Sequence, residues 1–470
     1  MFRSIKRYSR IYFYVIVFMN NWTTHHSRAW ACSRLLTRHL IPRLLAILFF
    51  SHMPLLMAGP LTIIYSGNLD GELEPCGCSE EGDLGGIKRR ASYLDQLRKQ
   101  KPELITLSSG GLLSSDGSGD RLKSEFILKG FTQLKYDAVG LQWRDLVYGE
   151  SFLSSDDIPW IASNWNGSKF QQKKLLKRTI NNKHYSIAVF NWLDPDRSPM
   201  RQMQGEHQLV NDNHKALVKS IKDMKQQGNI TVLLTTQDLE TMQQQISLDN
   251  IDILLVKSAY EVFGKPQKIK NTLVLQPGSR GMRVGHLELV IDENNHIKTW
   301  NEKIIPLIES IPDAPRLNAW YNQYNEKVKA DYLRRTAIQK KKRSGKSDYA
   351  GEELCKNCHT KQYKVWSESK HAIAFENLEA VNKSFDPSCI VCHTVGFNKP
   401  GGFLDIDITA NLMGVQCESC HGPGQAHVQS GGKKPVANSE WKIQKICAQC
   451  HTQPHSPSFS VDKYWPKIAH

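Results

Sequence analysis

The first sixty residues contain no aspartate or glutamate, against eight lysines and arginines. They also lack an apolar run of bilayer length. A spanning helix needs about 20 apolar residues; Ile11–Met19 falls well short, and the run opening at Leu44 reaches Met57 only across Ser51, His52 and Pro54. A basic stretch, a short apolar stretch and the small-residue site Leu56-Met57-Ala58 before Gly59 and Pro60 have the layout of a secretory leader. Residues 1–59 are therefore expected to be removed on export, taking Cys32 with them. The alternative is a single retained anchor at 44–57 that would associate the chain with a membrane. The net charge of +15 over 470 residues falls to +7 once this segment is set aside. That is weak support for a nucleic-acid partner, and none is expected.

Cysteine is scarce elsewhere: of eleven, only Cys32, Cys76 and Cys78 lie outside four short words near the carboxyl end. Those words are Cys355-Lys-Asn-Cys358-His359, Cys389-Ile-Val-Cys392-His393, Cys417-Glu-Ser-Cys420-His421 and Cys447-Ala-Gln-Cys450-His451. C-x-x-C-H is the attachment signal for c-type haem. Two thiols a helical turn apart can each form a thioether with a haem vinyl group, and the adjacent imidazole turns onto the iron. Structural zinc is the rival for paired cysteines, but it does not require histidine directly after every second one. Four covalently attached haem c groups are the expectation. Their propionates, roughly two per haem, would bring the charge of the processed chain close to neutral. Covalent haem attachment takes place outside the cytoplasm, so export and haem agree, and a periplasmic location follows as an expectation.

Between Leu61 and about Pro312, buried-strand candidates alternate with helical stretches. The strand candidates are Leu61–Tyr65, Glu103–Leu107, Ala138–Leu141, Trp160–Ala162, Ser186–Phe190, Ile230–Leu234, Ile251–Val256, Thr272–Leu275 and Gly285–Ile291. Apolar residues at helical spacing mark Gly85–Gln100, and His214–Gln227 reads as another helix. A charged helix, Leu317–Gln339, then leaves the α/β unit, followed by the basic stretch Lys340–Ser347, read as a solvated linker or as a docking patch for an acidic partner. The expected domains are 60–312 (α/β), 313–347 (linker) and 348–470 (haem).

The α/β unit resembles the 5′-nucleotidase branch of the calcineurin-like metallophosphatases. The likeness rests on Ile63–Pro75 (Ile-Ile-Tyr-Ser-Gly-Asn-Leu-Asp-Gly-Glu-Leu-Glu-Pro), on Tyr136–Asp145 with Tyr148-Gly149, and on Gln276–Gly281 followed by Gly285–Leu289. It implies a four-layer α/β sandwich with a two-metal hydrolytic centre. The ligand letters depart from that pattern: Asn68 and Asp70 stand in the first motif, Gly110-Gly111 in the second, Gln142-Trp143-Arg144-Asp145 in the third, Thr235-Thr236 and Lys257–Tyr260 in the last two. Two metals about 4 Å apart need carboxylates and imidazoles around a shared hydroxide. A phosphatase fold without phosphatase chemistry is expected. Beside the lost site, Cys76-Gly77-Cys78 stands either as an inert or disulfide-bonded couple or, with Asp70 and Glu74, as a redox or metal-binding pair facing the haem domain.

Residues 348–470 contain eight histidines; besides the four in the words these are His371, His427, His455 and His470. The segment resembles the tetrahaem cytochrome c-554 family, which accepts electrons from hydroxylamine oxidoreductase. The likeness lies in Tyr349-Ala-Gly351, Trp366–Ala374 around His371, Thr394–Phe397, Gly414–His427 and Tyr464–His470. It implies a mostly α-helical multihaem cytochrome c domain with His371, His427 and His470 as distal ligands, joining the proximal His359, His393, His421 and His451. His455 falls outside the pattern. Seven ligands for eight axial positions leave one iron five-coordinate, and the second word is the expected owner because Thr394–Pro400 offers no histidine. Three readings follow: electron transfer with redox partner proteins, redox chemistry on small nitrogen compounds such as hydroxylamine or nitric oxide at the open iron, and, weakest, hydrolysis.

Overall fold

A computed structural model describes residues 59–470 apart from 77–82, 115–119, 154–156, 199–208, 257–262, 344, 453–454 and 457. The leader with Cys32, the position of Cys78 and the Lys257–Tyr260 motif lie outside the described residues; Cys76 is described only in its backbone.

Two six-stranded sheets make the α/β unit. The first runs Ile297–Pro306, Arg283–Ile291, Leu61–Ser66, Ile105–Ser108, Ala138–Gly140, Trp160–Ile161 in spatial order. The second runs Gly264–Ile269, Thr272–Gln276, Ile253–Leu255, Ile230–Thr235, Lys183–Trp192, Lys174–Ile180. Their central strands are parallel and buried on both faces, which is why they read as continuous apolar runs. Alternate residues of those runs point opposite ways. Leu61, Ile63 and Tyr65 meet Ile187, Val189, Val232 and Leu234 between the sheets, while Ile64 faces the helices Ile87–Gln100 and Asp120–Thr132. Ala188, Phe190 and Leu233 face the helix His214–Gln226 on the far side. The result is the four-layer α/β sandwich expected of a metallophosphatase-like unit.

The helix Asn318–Lys342 does not simply leave the sandwich. Its first half packs on it: Trp320 Nε1 donates to the Phe126 carbonyl (2.9 Å), and the Tyr324 ring lies 5.5 Å from Phe126. Its second half enters the next core, where Tyr332 packs with Phe375, Leu378 and Phe385 and donates to the Leu404 carbonyl (2.9 Å). One helix thus serves two cores. The remaining chain is mostly short helices joined by turns, which matches a polypeptide whose interior is shared with cofactors. Among the described residues no helix is long and apolar enough to cross a membrane.

Candidate functional site

Each of the four words is wound into a helical turn. The second is helical throughout, Pro387–His393, with proline in the first turn and the Asp386 carboxylate capping the Ser388 N–H (3.0 Å). The third forms the helix Cys417–His421. In the first and fourth, the histidine N–H donates back to the first cysteine carbonyl, His359 to Cys355 and His451 to Cys447, both at 2.9 Å. This winding puts both sulfurs and the imidazole of a word on one side, the geometry that the attachment chemistry needs.

The distal histidines come from far along the chain, and the structure pairs them. His359 faces His427 with ring centres 6.2 Å apart, His451 faces His371 at 6.1 Å, and His421 faces His470 at 5.9 Å. Two imidazoles on opposite sides of one metal ion, each nitrogen about 2.0–2.1 Å from it, have ring centres about 6 Å apart. The three spacings therefore fit an iron between each pair. Among the described residues no three His, Cys, Asp or Glu side chains converge as a cage for a bare metal ion, the arrangement a structural zinc would use. His393 is in none of the three imidazole pairs, and neither is His455, which instead lies within electrostatic reach of Arg280, Glu72 and Lys123 in the α/β unit.

A ligating imidazole is oriented through its other ring nitrogen. His393 Nδ1 meets the Ala374 carbonyl at 2.6 Å, His427 Nδ1 the Lys434 carbonyl at 2.6 Å, and His470 Nδ1 the Ile468 carbonyl at 2.9 Å. His451 Nδ1 meets the Ser456 hydroxyl at 3.1 Å. In each case the contact engages Nδ1 and not Nε2. No sequence signal marks these partners, because three are backbone carbonyls. The His371 segment is fixed against the third word, since Trp366 Nε1 donates to the Val415 carbonyl (2.7 Å) and Val415 N to the His371 carbonyl (3.2 Å). The words also group in twos. Cys355 lies beside Cys417, and Cys392 beside Cys450.

Glu418, between the cysteines of the third word, is 5% exposed. Its carboxylate accepts from the backbone N–H groups of Ala350 (2.9 Å), Gly351 (2.8 Å) and Gly424 (2.6 Å). It thereby ties the strand entering the first word to the turn that presents His427.

In the α/β unit the positions of the first three motifs of the resembled two-metal centre come together, but with different chemistry. Asp70 pairs with Arg144 and accepts from the Arg280 N–H (3.0 Å); Arg280 Nη2 lies 2.9 Å from Glu72, and Lys123 Nζ 3.9 Å from it. Asn68 Oδ1 accepts from Gln142 (2.7 Å). Gly111, at φ +67, stands so close to Asn68 that a Cβ there would meet its side chain at 2.6 Å, so aspartate has no room. Asp145 is fully buried and accepts from the N–H groups of Gly111, Leu112, Leu113 and Gln142. The donor set does not fit a pair of divalent cations: cationic side chains already face its carboxylates.

Burial outweighs those four donors and pushes the Asp145 carboxyl from 3.8 up to about 6. A carboxyl raised in the folded state adds stability below its unfolded value, and loses it as pH rises through the folded one. In urea denaturation from pH 4 to 6.5 the Asp145 contribution should fall with pH, so Asp145→Asn should lower stability most at the acid end and change the slope of the wild-type profile. An unchanged slope in the variant would place the titration elsewhere.

Comparison with known proteins finds likenesses to two different groups. Residues 354–422 match the family model described as cytochrome c554 and c-prime. A cytochrome c-554 of Nitrosomonas europaea is 32% identical over 134 residues, covering 22% of this chain and 57% of that protein. The chain thus spans little more than half the length of that relative. Among solved structures, a 5′-nucleotidase precursor from Thermus thermophilus is similar with a TM-score of 0.49 and 16% identity, covering 58% of this chain and 59% of that one. A calcineurin-like phosphoesterase from Bacillus subtilis is similar with a TM-score of 0.46 and 15% identity, covering 57% and 98%.

Proposed function

We propose that this chain, in which a c-type cytochrome segment of the c-554 kind is joined to a metallophosphatase-like α/β unit, is an exported electron-transfer protein carrying four haem c groups. The observation that carries this reading is the set of three imidazole pairs, each spaced for one iron. When bound, the haems supply reversible one-electron chemistry. The chain's own residues do the rest. Cys355 and Cys358, Cys389 and Cys392, Cys417 and Cys420, and Cys447 and Cys450 hold the four groups covalently. His359 with His427, His451 with His371, and His421 with His470 would hold three of the irons, an arrangement suited to carrying electrons. The closeness of words one and three, and of words two and four, supports a chain of neighbouring centres.

The α/β unit, in this reading, has given up its metal ligands and serves as a module for redox partner proteins. Arginine at positions 144 and 280 supports that view, since each guanidinium meets an acidic side chain where a hydrolase would need a cation with open coordination sites. Residues 1–59 act as the export leader, and the processed protein is periplasmic.

One observation favours an additional activity. His393, in none of the three imidazole pairs among the described residues, would leave its iron with an open face for nitric oxide or hydroxylamine. The purified protein should therefore show a mass increment of four haems that survives denaturation, with three low-spin ferric signals and one high-spin signal that shifts on addition of nitric oxide. A mass matching bare polypeptide would sink the cytochrome reading; four low-spin signals would sink only the open site.

A further inference from the structure

Lys383 lies six residues before the second word and is 8% exposed. Its ammonium sits 2.6 Å from Glu74 Oε1, 2.8 Å from Asn325 Oδ1 and 3.7 Å from Asp386 Oδ2, with the rings of Tyr321 and Tyr324 at 5.2 and 5.6 Å. Tyr321 donates its hydroxyl to Glu74 as well. Three parts of the molecule meet at this one nitrogen. Glu74 belongs to the α/β unit, Asn325 and both tyrosines to the long helix, and Asp386 is the residue that caps the helix carrying Cys389, Cys392 and His393. Glu74 is thus committed to this junction.

We propose that Lys383, anchored by Glu74, is a positioning residue for the iron held by His393 and sets the potential of that one centre. The physical reason is the low local dielectric. A charge held a short way from a redox group, away from water, acts on it with little screening. The ammonium favours the reduced, less positive state of the iron held by the helix that Asp386 caps, and the Glu74 carboxylate opposes it. Because Asp386 caps the first turn, the same cation also fixes where that helix begins. Burial works against the charged lysine, but the Glu74 and Asp386 carboxylates more than offset it. The α/β unit thereby acts on the second haem through one ion chain, Glu74–Lys383–Asp386.

The inference rests on the cytochrome reading above. Its test is spectroelectrochemistry of the full-length holoprotein, with the second couple assigned as the one displaced in His393→Met. Lys383→Met should move that couple to lower potential and Glu74→Gln should move it to higher potential. The other three should stay in place, and Lys383→Arg should keep the wild-type value. Opposite signs from the two variants separate charge from mere loosening, which would displace both the same way. If Lys383→Met does not accumulate, the upward shift in Glu74→Gln carries the test. Couples unmoved in these variants, or shifts spread over all four, would overturn the inference. A wild type with only low-spin haem would instead overturn the open-site reading and leave this one standing on its own measurement.

Discussion

Replacing His427 by alanine is expected to remove one of three low-spin ferric signals and add a second high-spin one, with the haem count unchanged. His427 contributes no covalent bond, so attachment through Cys355 and Cys358 survives. What is lost is the imidazole 6.2 Å across from His359. No other described imidazole is paired with His359, and the Lys434 carbonyl on Nδ1 orients the His427 ring. An iron with one imidazole and one open face becomes high-spin and rises in potential. Added imidazole should restore the low-spin signal, because the vacated space matches that ring. Electron paramagnetic resonance of the ferric protein reads both effects. A spectrum identical to wild type would mean that His427 is not a ligand and that the 6 Å spacing has been misread.

The four words were legible in the sequence because attachment chemistry is local: cysteine, cysteine and histidine act within one turn of helix. The pairing was not. His359 and His427, His371 and His451, and His421 and His470 are brought together by contacts such as Trp366 with Val415, which no spacing rule encodes. In the α/β unit the central strands were legible as apolar runs because they are buried on both faces. The edge strands Lys174–Ile180, Gly264–Ile269 and Ile297–Pro306 have no such run, since lysine and other polar residues alternate along their exposed faces. The long helix was legible in extent, but not its double role. Tyr324 and Tyr332 serve different cores two turns apart, and on a helix with little overall amphipathicity their burial is a tertiary fact. Asn68, Gly111 and Arg144 were visible as departures from a metal-binding pattern. That Arg144 and Arg280 would meet the surviving acids became visible only once positions 70, 72, 144 and 280 were folded together.

Glu418→Ala should be the most damaging single change in the haem domain. Lys356, the other charged residue between attachment cysteines, is exposed, yet Glu418 is buried and accepts three backbone N–H groups, two from a distant segment and one from the turn that follows its own helix. Removing the carboxylate leaves those donors buried and unsatisfied. At about 1–3 kcal/mol each, the expected loss is on the order of 5 kcal/mol, a large part of a domain's total stability. The damage should also be directional. Ala350 and Gly351 precede the first word, and Gly424 precedes the turn of helix bearing His427, so the His359–His427 pair should fail before His421–His470 does. Thermal unfolding should show a large drop in midpoint, accompanied below that midpoint by loss of the same low-spin signal that His427→Ala removes. Glu418→Gln, which keeps one acceptor oxygen, should fall between. An alanine variant with wild-type melting and all three low-spin signals would show that the two segments are held together by the haem attachments alone, with the carboxylate a bystander.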